Sequence, residues 1–273
     1  MTRPTVVVRG GGELASAAAR LLFLSGFPVL VLERAQPLAV RRMVAFADAV
    51  RTGQALVEGV CGKLVSPGTL ALLPECVTVA VDPEATILAR LEPAVLVDAR
   101  MLKRGSDTAI TQALLVVGIG PGLEAGRDVH AVIETHRGPD LGRVLWSGSA
   151  EPDTAKPADV LGFTEKRVVR APRAGLFQAD VKIGDLVVAG QVLGHVDGTP
   201  VEAGIAGLVR GLVADAVVVM NGMKIGDIDP RGLAVSPARI SDKARAVAAG
   251  VLEAVVLGRQ GGAPFGSDSS GNA

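Results

Sequence analysis

The chain opens with a short apolar run, Val6-Val7-Val8, which breaks after Arg9 into Gly10-Gly11-Gly12 and then into a helical pattern. Leu14, Ala17, Ala18, Leu21, Leu22 and Ser25 recur at the three-and-four spacing of one buried helix face, and Gly26 supplies the stop. A second apolar run, Val29 to Leu32, ends on Glu33. Strand, glycine turn, helix, and a second strand closed by an acid about 20 residues on is the layout of a dinucleotide-binding half. The pattern next predicts a helix with Val40, Met43, Val44, Ala47 and Val50 on one face. Gln54 to Val65 reads as short strands, and Ser66-Pro67 opens a small helix. Apolar strands follow at Val77 to Val81, Val95 to Val97 and Leu114 to Val117, with a helical piece from Glu84 to Leu91 between the first two. Strands alternating with helices predict a mainly parallel sheet buried on both faces.

The second half of the chain changes character. Pro152 and Pro157 mark a linker from Asp153 to Asp159. Beyond it lies an internal repeat at one constant offset. Gly175-Leu176 matches Gly207-Leu208, Val181 matches Val213, and Gly190 matches Gly222. Leu193-Gly194 then matches Ile225-Gly226, and Val196-Asp197 matches Ile228-Asp229. Two copies of a short β-rich unit predict a small pseudo-twofold barrel, because neither copy buries its apolar face alone. Ser241-Asp242 then caps a helix with Ala244, Val247, Ala248, Val251, Leu252, Val255 and Val256 on one face, a stripe that needs the first domain to pack on. From Gln260 on, Gly and Ser dominate, the composition of a disordered tail. The predicted organisation is an α/β, Rossmann-like domain over 1–164, the all-β barrel over 165–235, the C-terminal helix over 236–258 and the tail over 259–273.

Charge removes several classes of partner. The 28 Lys and Arg residues balance 28 Asp and Glu, so neither nucleic acid nor an anionic membrane is expected. No apolar run reaches the roughly 18 residues of a membrane helix. Met1-Thr2-Arg3-Pro4 leads directly into the first strand rather than into a signal peptide, and a cytoplasmic location is the expectation. Cys61 and Cys76 lack metal-ligand spacing and are expected to be buried or free thiols rather than a disulfide.

The candidate chemistry sits at the glycines. Gly10, Gly12 and Ala15 fit G-x-G-x-x-A: Gly10 permits the turn, Gly12 lets a phosphate approach the backbone, and Ala15 keeps the helix close to the sheet. Together with Gly11 and Glu13 they form a candidate phosphate site on the free amides of the helix start, and Glu33 is a candidate acceptor for a ribose diol. The alternative is that three glycines simply make a turn. Ligands collect beyond the carboxyl ends of parallel strands, where Asp98-Ala99-Arg100 and the loop Gly118-Ile119-Gly120-Pro121-Gly122 should also arrive. Gly118, Gly120 and Gly122 read either as a second phosphate cradle or as a plain turn. Arg41 and Arg42 lie off the predicted helix face, as a phosphate contact or as solvated charges. His130 and His136 look like a metal pair, but on one strand at roughly 3.3 Å per residue they would be about 20 Å apart, so no metal is expected. Glu134, His136 and Arg137 remain candidates for the pocket edge.

Two resemblances add to this reading. From Val169-Arg170-Ala171-Pro172 to Ile228, with Val181-Lys182-Ile183-Gly184-Asp185 and Gly190-Gln191-Val192-Leu193, the chain resembles a lipoyl/biotinyl-type domain. Carrier members of that family place the modified lysine at the hairpin joining the two halves. Here that joint is Asp197-Gly198-Thr199-Pro200-Val201, and Lys224 aligns with Val192 inside the second half, which implies the fold without the swinging arm. Nearly the whole chain to about Gly258 resembles the YqeB-type proteins, accessory or maturation factors of selenium-dependent molybdenum hydroxylases. The segments that carry this are Val8 to Ala15, Pro37 to Arg42, Val97-Asp98-Ala99-Arg100-Met101, Gly118 to Gly122 with Asp128 to Gly138, and Ile240 to Arg245.

That resemblance implies a helper that handles molybdopterin or its cytosine dinucleotide form, or another nucleotide, with a molybdenum hydroxylase as partner and a homo-oligomer as one possible state. It supplies no catalytic residues, and no nucleophile-base pair is apparent, so a non-enzymatic role is expected. A NAD(P)-dependent oxidoreductase and a ligand-free interaction module are the alternatives.

Overall fold

The computed structural model of the protein describes residues 3–66, 71–102, 105–154 and 156–258. The predicted helix at Ser66-Pro67 and the predicted tail fall wholly or partly outside these residues. The first part runs β1 (Val6–Arg9), α1 (Glu13–Leu24), β2 (Val29–Glu33), α2 (Ala49–Thr52), β3 (Gln54–Val57), β4 (Val60–Leu64) and β5 (Val77–Val81). It continues through α3 (Leu88–Leu91), β6 (Val95–Asp98), β7 (Leu115–Ile119), β8 (Glu124–Ala125), β9 (Ala131–Ile133), β10 (Val144–Leu145) and β11 (Gly148–Ser149). Among the described residues nine of these strands form one sheet, in the order β10-β9-β7-β6-β1-β2-β5-β4-β3. Only the two edge pairs, β10 with β9 and β3 with β4, are antiparallel.

The near-continuous apolar strands are buried on both faces because successive side chains alternate. Val6, Val8, Val95 and Val97 belong to one core with α1, while Val7, Leu30, Leu96 and Val116 belong to another with loop residues such as Leu123 and Val129. The chain steps outward from β1 through β2 to β5, then returns to the other side of β1 for β6 and β7. The strand order therefore reverses at β1, and the crevice between the carboxyl ends of β1 and β6 is where an open sheet of this kind leaves room for a ligand.

The predicted helix over Val40 to Val50 is not formed. Two 3-10 turns, Arg42–Val44 and Phe46–Asp48, precede the short α2. Val40 is drawn away because it packs on the core of the second part, where the Leu212 amide donates to its carbonyl at 2.8 Å. Arg42 reinforces the joint through Nε to the Leu212 carbonyl at 2.9 Å. The helical piece expected from Glu84 likewise shrinks to α3.

The second part contains β12 (Val168–Arg170), β13 (Gly175–Ala179), β14 (Leu186–Val187), β15 (Val192–Val196), β16 (Thr199–Glu202), β17 (Gly207–Leu212), β18 (Val217–Val219) and β19 (Lys224–Asp229). They make two four-stranded antiparallel sheets, β12-β19-β17-β14 and β16-β15-β13-β18. The repeat exchanges these sheets: β12 corresponds to β16, β13 to β17, β14 to β18 and β15 to β19. Each copy thus gives two strands to each sheet, and Phe177 and Leu193 of one copy share a core with Val209, Ile225 and Ile228 of the other. At the joint Asp197 and Gly198 both have positive φ, +44° and +78°, the conformation of a tight two-residue hairpin turn.

The last described element is α4 (Asp242–Gly258), which packs beside α1 on the first sheet. Small residues make the approach close. A Cβ built on Gly250 would stand 2.0 Å from the Gly142 carbonyl oxygen. Gly250→Ala is therefore expected to lower stability by about 1–3 kcal/mol through overpacking, read as a fall of about 5 °C in Tm. A variant melting with the parent would show that the loop at Gly142 yields freely. Among the described residues no helix is long and apolar enough to cross a membrane.

Candidate functional site

The glycine turn lies at the reversal point. Gly10 has φ +95°, and its amide donates to the Leu32 carbonyl at 2.8 Å while the Ala99 amide donates to Arg9, so the turn is tied to β2 and to the end of β6. Gly11 is structural: an added Cβ would lie 2.8 Å from the Ala47 nitrogen. Its carbonyl accepts from the Ala47 amide and from the buried Ser16 hydroxyl, both at 2.9 Å. Gly12 is different. It is the N-cap of α1, has φ −69° and ψ −177°, contributes no side-chain cap, and a Cβ there would meet nothing within 4 Å. The first amides of α1 lack acceptors within the helix. They open onto a cleft of about 830 Å³ lined by Gly10 to Ala15, Glu33, Arg34, Pro83, Ala99, Arg100 and Met101 among others.

Glu33 lines this cleft, yet both its carboxylate oxygens are engaged, one by the Gly11 amide and the other by the Arg34 amide, each at 2.8 Å. The acid expected to meet a ribose braces the glycine turn instead. Arg34, one residue further, reads in the sequence as an ordinary charged loop residue, yet it is exposed and lines the cleft.

The Asp98 and Arg100 candidates arrive at the crevice as a closed pair. Arg100 grips Asp98 through Nε at 3.0 Å and Nη2 at 2.8 Å, and also reaches Asp107 at 2.6 Å. Asp107 in turn holds the fully buried Arg9 at 2.8 Å. Burial opposes ionisation of Asp98, but hydrogen bonds from Arg100 and Thr108 outweigh it and hold the carboxyl below the usual range. Hydrogen bonding from Arg9, then from Arg100, holds Asp107 far below that range. Asp98 therefore does not line the cleft, and Arg100 does so with its guanidinium largely committed.

The second glycine loop is packed rather than open. A Cβ on Gly118 would meet the Leu123 side chain at 2.6 Å, and Gly120 is buried against Met101 and Thr135, its amide bound to the Ile133 carbonyl. Gly122 has φ +104°, as a tight turn requires. Gly118, Gly120 and Gly122 do not line the glycine cleft. Apolar side chains on β7 and the following loop fold back on β9, and this closes the expected cradle.

Arg41 goes elsewhere. It is buried, pairs with Glu13 at 3.4 Å and donates to the Pro237 and Arg239 carbonyls. Burial, with nearby Arg210 adding to it, lowers its pKa against the pull of Glu13. It lines a second recess of about 580 Å³ together with Pro121, His136 and Arg137, Arg167, Arg210, Lys224 and Asp227 of the second part, and Lys243 at the start of α4. Glu134 is buried and is spent on three backbone amides, those of Thr135, His136 and Glu151. The two thiols are neighbours that no sequence spacing announced. Burial, then a hydrogen bond with Cys61, pushes Cys76 up to about 11, which leaves it a poor nucleophile. Among the described residues no three His, Cys, Asp or Glu side chains gather as a metal-binding group.

The molecule is thus a mixed α/β protein with a parallel-rich sheet, a glycine cleft at its strand reversal, and separate antiparallel sheets. No protein-family model matches the chain. It is 44% identical over 255 residues, 92% of its own length, to the uncharacterized protein YqeB of Escherichia coli (strain K12), and it spans 47% of that protein's length. Solved structures with some likeness include an aspartoacylase family protein from Mesorhizobium loti, at 12% identity and TM-score 0.27 over 83% of this chain and 85% of that one. The ectoine utilization protein EutE (DoeB) from Ruegeria pomeroyi matches over the same shares at 14% identity and TM-score 0.26. At those scores neither likeness assigns this chain a fold or an activity.

Proposed function

We propose that this chain holds a phosphate-bearing ligand in the glycine cleft and serves as an accessory factor in the maturation of a selenium-dependent molybdenum hydroxylase. The observation that carries the binding reading is Gly12: a glycine with free space before it, at the uncapped start of a 12-residue helix, in the crevice where the strand order reverses. That arrangement supports reading the first part as Rossmann-like. The interleaved repeat supports reading the second as a lipoyl/biotinyl-type barrel, and its joining turn at Asp197-Gly198 carries no lysine to modify. Likeness to YqeB over the shared stretch supports membership of the YqeB-type family, from which the molybdenum role is taken.

Molybdopterin or its cytosine dinucleotide fits the cleft by its phosphates. The open backbone at Gly12, the first amides of α1 and the Arg34 guanidinium are the groups that would hold them. Bound, the cofactor brings the redox-active metal; the chain's own residues hold and orient the phosphates. Both Glu33 oxygens are held by amides and burial raises the Cys76 pKa, so this reading gives neither group a catalytic role.

Arg34 beside Glu33 favours one other reading, a NADP-dependent oxidoreductase, because a cation at the end of the second strand suits a ribose 2′-phosphate. A panel of nucleotides and pterin phosphates separates the two by thermal shift. At a hundredfold excess over Kd the ligand should add about 2.7 kcal/mol, or roughly 5–10 °C in Tm. Deleting the gene should leave the hydroxylase present but inactive. Full hydroxylase activity in the deleted strain, or steady nicotinamide reduction by the purified protein, would replace this reading with the oxidoreductase one.

A further inference from the structure

We propose that the recess between the large sheet and the two antiparallel sheets is a second anion site, taking a phosphate or pyrophosphate group on Arg210, Lys224 and Lys243. Its geometry does not depend on the glycine cleft, although the two adjoin at Glu13, Leu14 and Met101.

The recess is lined by more cationic than anionic side chains. Asp227 on β19 is 4% exposed and is shared by three cations: Arg167, Arg210 at 3.9 Å and Lys224 at 3.7 Å. Asp229, two residues on, is 1% exposed and is shared by Arg210 at 3.7 Å and Arg231 at 2.7 Å. Two buried carboxylates thus stand against four cations. Arg210 Nε is buried and makes no hydrogen bond, the Asp229 carboxylate standing off from it at 3.7 Å.

The facing wall carries both signs, Arg137, Lys156 and Lys243 against Glu151 and Asp153. Lys243, in the first turn of α4, lines the recess and joins no ion pair among the described residues. Asp153, Glu134 and Glu13 attract its charge, but burial with nearby Arg137 outweighs them and lowers its pKa. Lys224 is lowered in the same way, by burial first and by Arg167 and Arg210 against the pull of Asp227. An incoming anion offsets the burial and like-charge repulsion that oppose the charge on both ammonium groups. Of the other carboxylates lining the recess, Glu13 is taken by Arg41 and by the Ser241 amide, Glu151 lies 3.7 Å from His136, and Asp153 acts on Lys243, so cations still outnumber carboxylates there. Arginine forks and lysine points converging from two directions suit a tetrahedral oxyanion, which offers acceptors on every side.

The test is calorimetric titration of the full chain with pyrophosphate and, separately, with a nucleoside diphosphate. Submillimolar, saturable binding of either is expected, at least tenfold weaker in Lys243→Gln and weaker again in Lys243→Gln/Lys224→Gln. Lys243→Gln leaves no carboxylate stranded, so it keeps the test valid should the double variant fold poorly. Gly12→Val distinguishes this site from the glycine cleft: pyrophosphate affinity kept there and lost in Lys243→Gln assigns the anion to the recess. A nucleoside diphosphate that binds more tightly than pyrophosphate, and is weakened by Lys243→Gln, identifies the phosphates as the end of a nucleotide. Binding of both probes within twofold of the parent in Lys243→Gln, loss of pyrophosphate only in Gly12→Val, or no saturable binding by the parent overturns the proposal.

Discussion

Gly12→Val is expected to leave the protein folded while weakening a phosphate-bearing ligand by about a hundredfold or more, equivalent to roughly 2.7 kcal/mol. The backbone there, φ −69° and ψ −177°, suits a β-branched residue, and the space in front of it is empty, so neither strain nor a clash opposes the change. The new isopropyl group instead fills the approach to the first amides of α1, and each charge-assisted hydrogen bond lost there is worth about 1.5–3 kcal/mol. Gly11→Ala is the contrast. Its Cβ would collide with the Ala47 backbone at 2.8 Å, so that variant should lose stability. Adjacent glycines thereby separate binding from folding, with affinity followed by titration and stability by thermal unfolding. Parental affinity in a folded Gly12→Val protein would sink the phosphate reading.

Asp107→Ala carries the largest expected effect on stability. Arg9 is 1% exposed, and Asp107 is its ion-pair partner at 2.8 Å. The remaining contacts of its guanidinium are neutral, the Pro83 carbonyl and the Thr108 hydroxyl. Removing the carboxylate strands a buried charge, which costs about 3 kcal/mol and about 6 °C or more in Tm. Adding Arg9→Met should recover part of that loss, because an apolar side chain no longer needs a counter-ion. A cost below about 1 kcal/mol would mean that water reaches Arg9.

The same network fixes a pH dependence. Asp98 and Asp107 have folded pKa values held below the unfolded value of about 4. Their stabilisation is complete above that pH and is lost as pH falls through the folded values. Urea midpoints should therefore decline below about pH 4, and less steeply for Asp107→Asn than for the parent.

What was legible beforehand follows the range of the interactions involved. β1, α1 and β2 were read from their spacing because a strand run, a glycine stop and a helical stripe are all local signals. The 32-residue repeat was legible for a related reason, since two copies of one pattern mark themselves without reference to anything else. Val40 to Val50 does not fold as its spacing suggests, because that spacing serves two cores: Val40 packs in the second part of the molecule, while Val44 and Phe46 pack in the first.

The amino-acid sequence by itself determined the alternation of strands and helices, the glycine turn at the first helix, and the doubled β unit, all of which arise within a few residues or by repetition. Only the tertiary structure decided what the polar side chains do. It spent Glu33 on the backbone of the turn, locked Asp98 and Arg100 into a network with Arg9 and Asp107, and packed Gly118 and Gly120 against side chains. It also drew Arg41, Arg210, Lys224 and Lys243 from four separate segments into one recess. The physical reason is that a buried charge takes the nearest compensating group in space, and nearness in space between residues some 200 positions apart, such as Arg41 and Arg239, has no counterpart in local pattern.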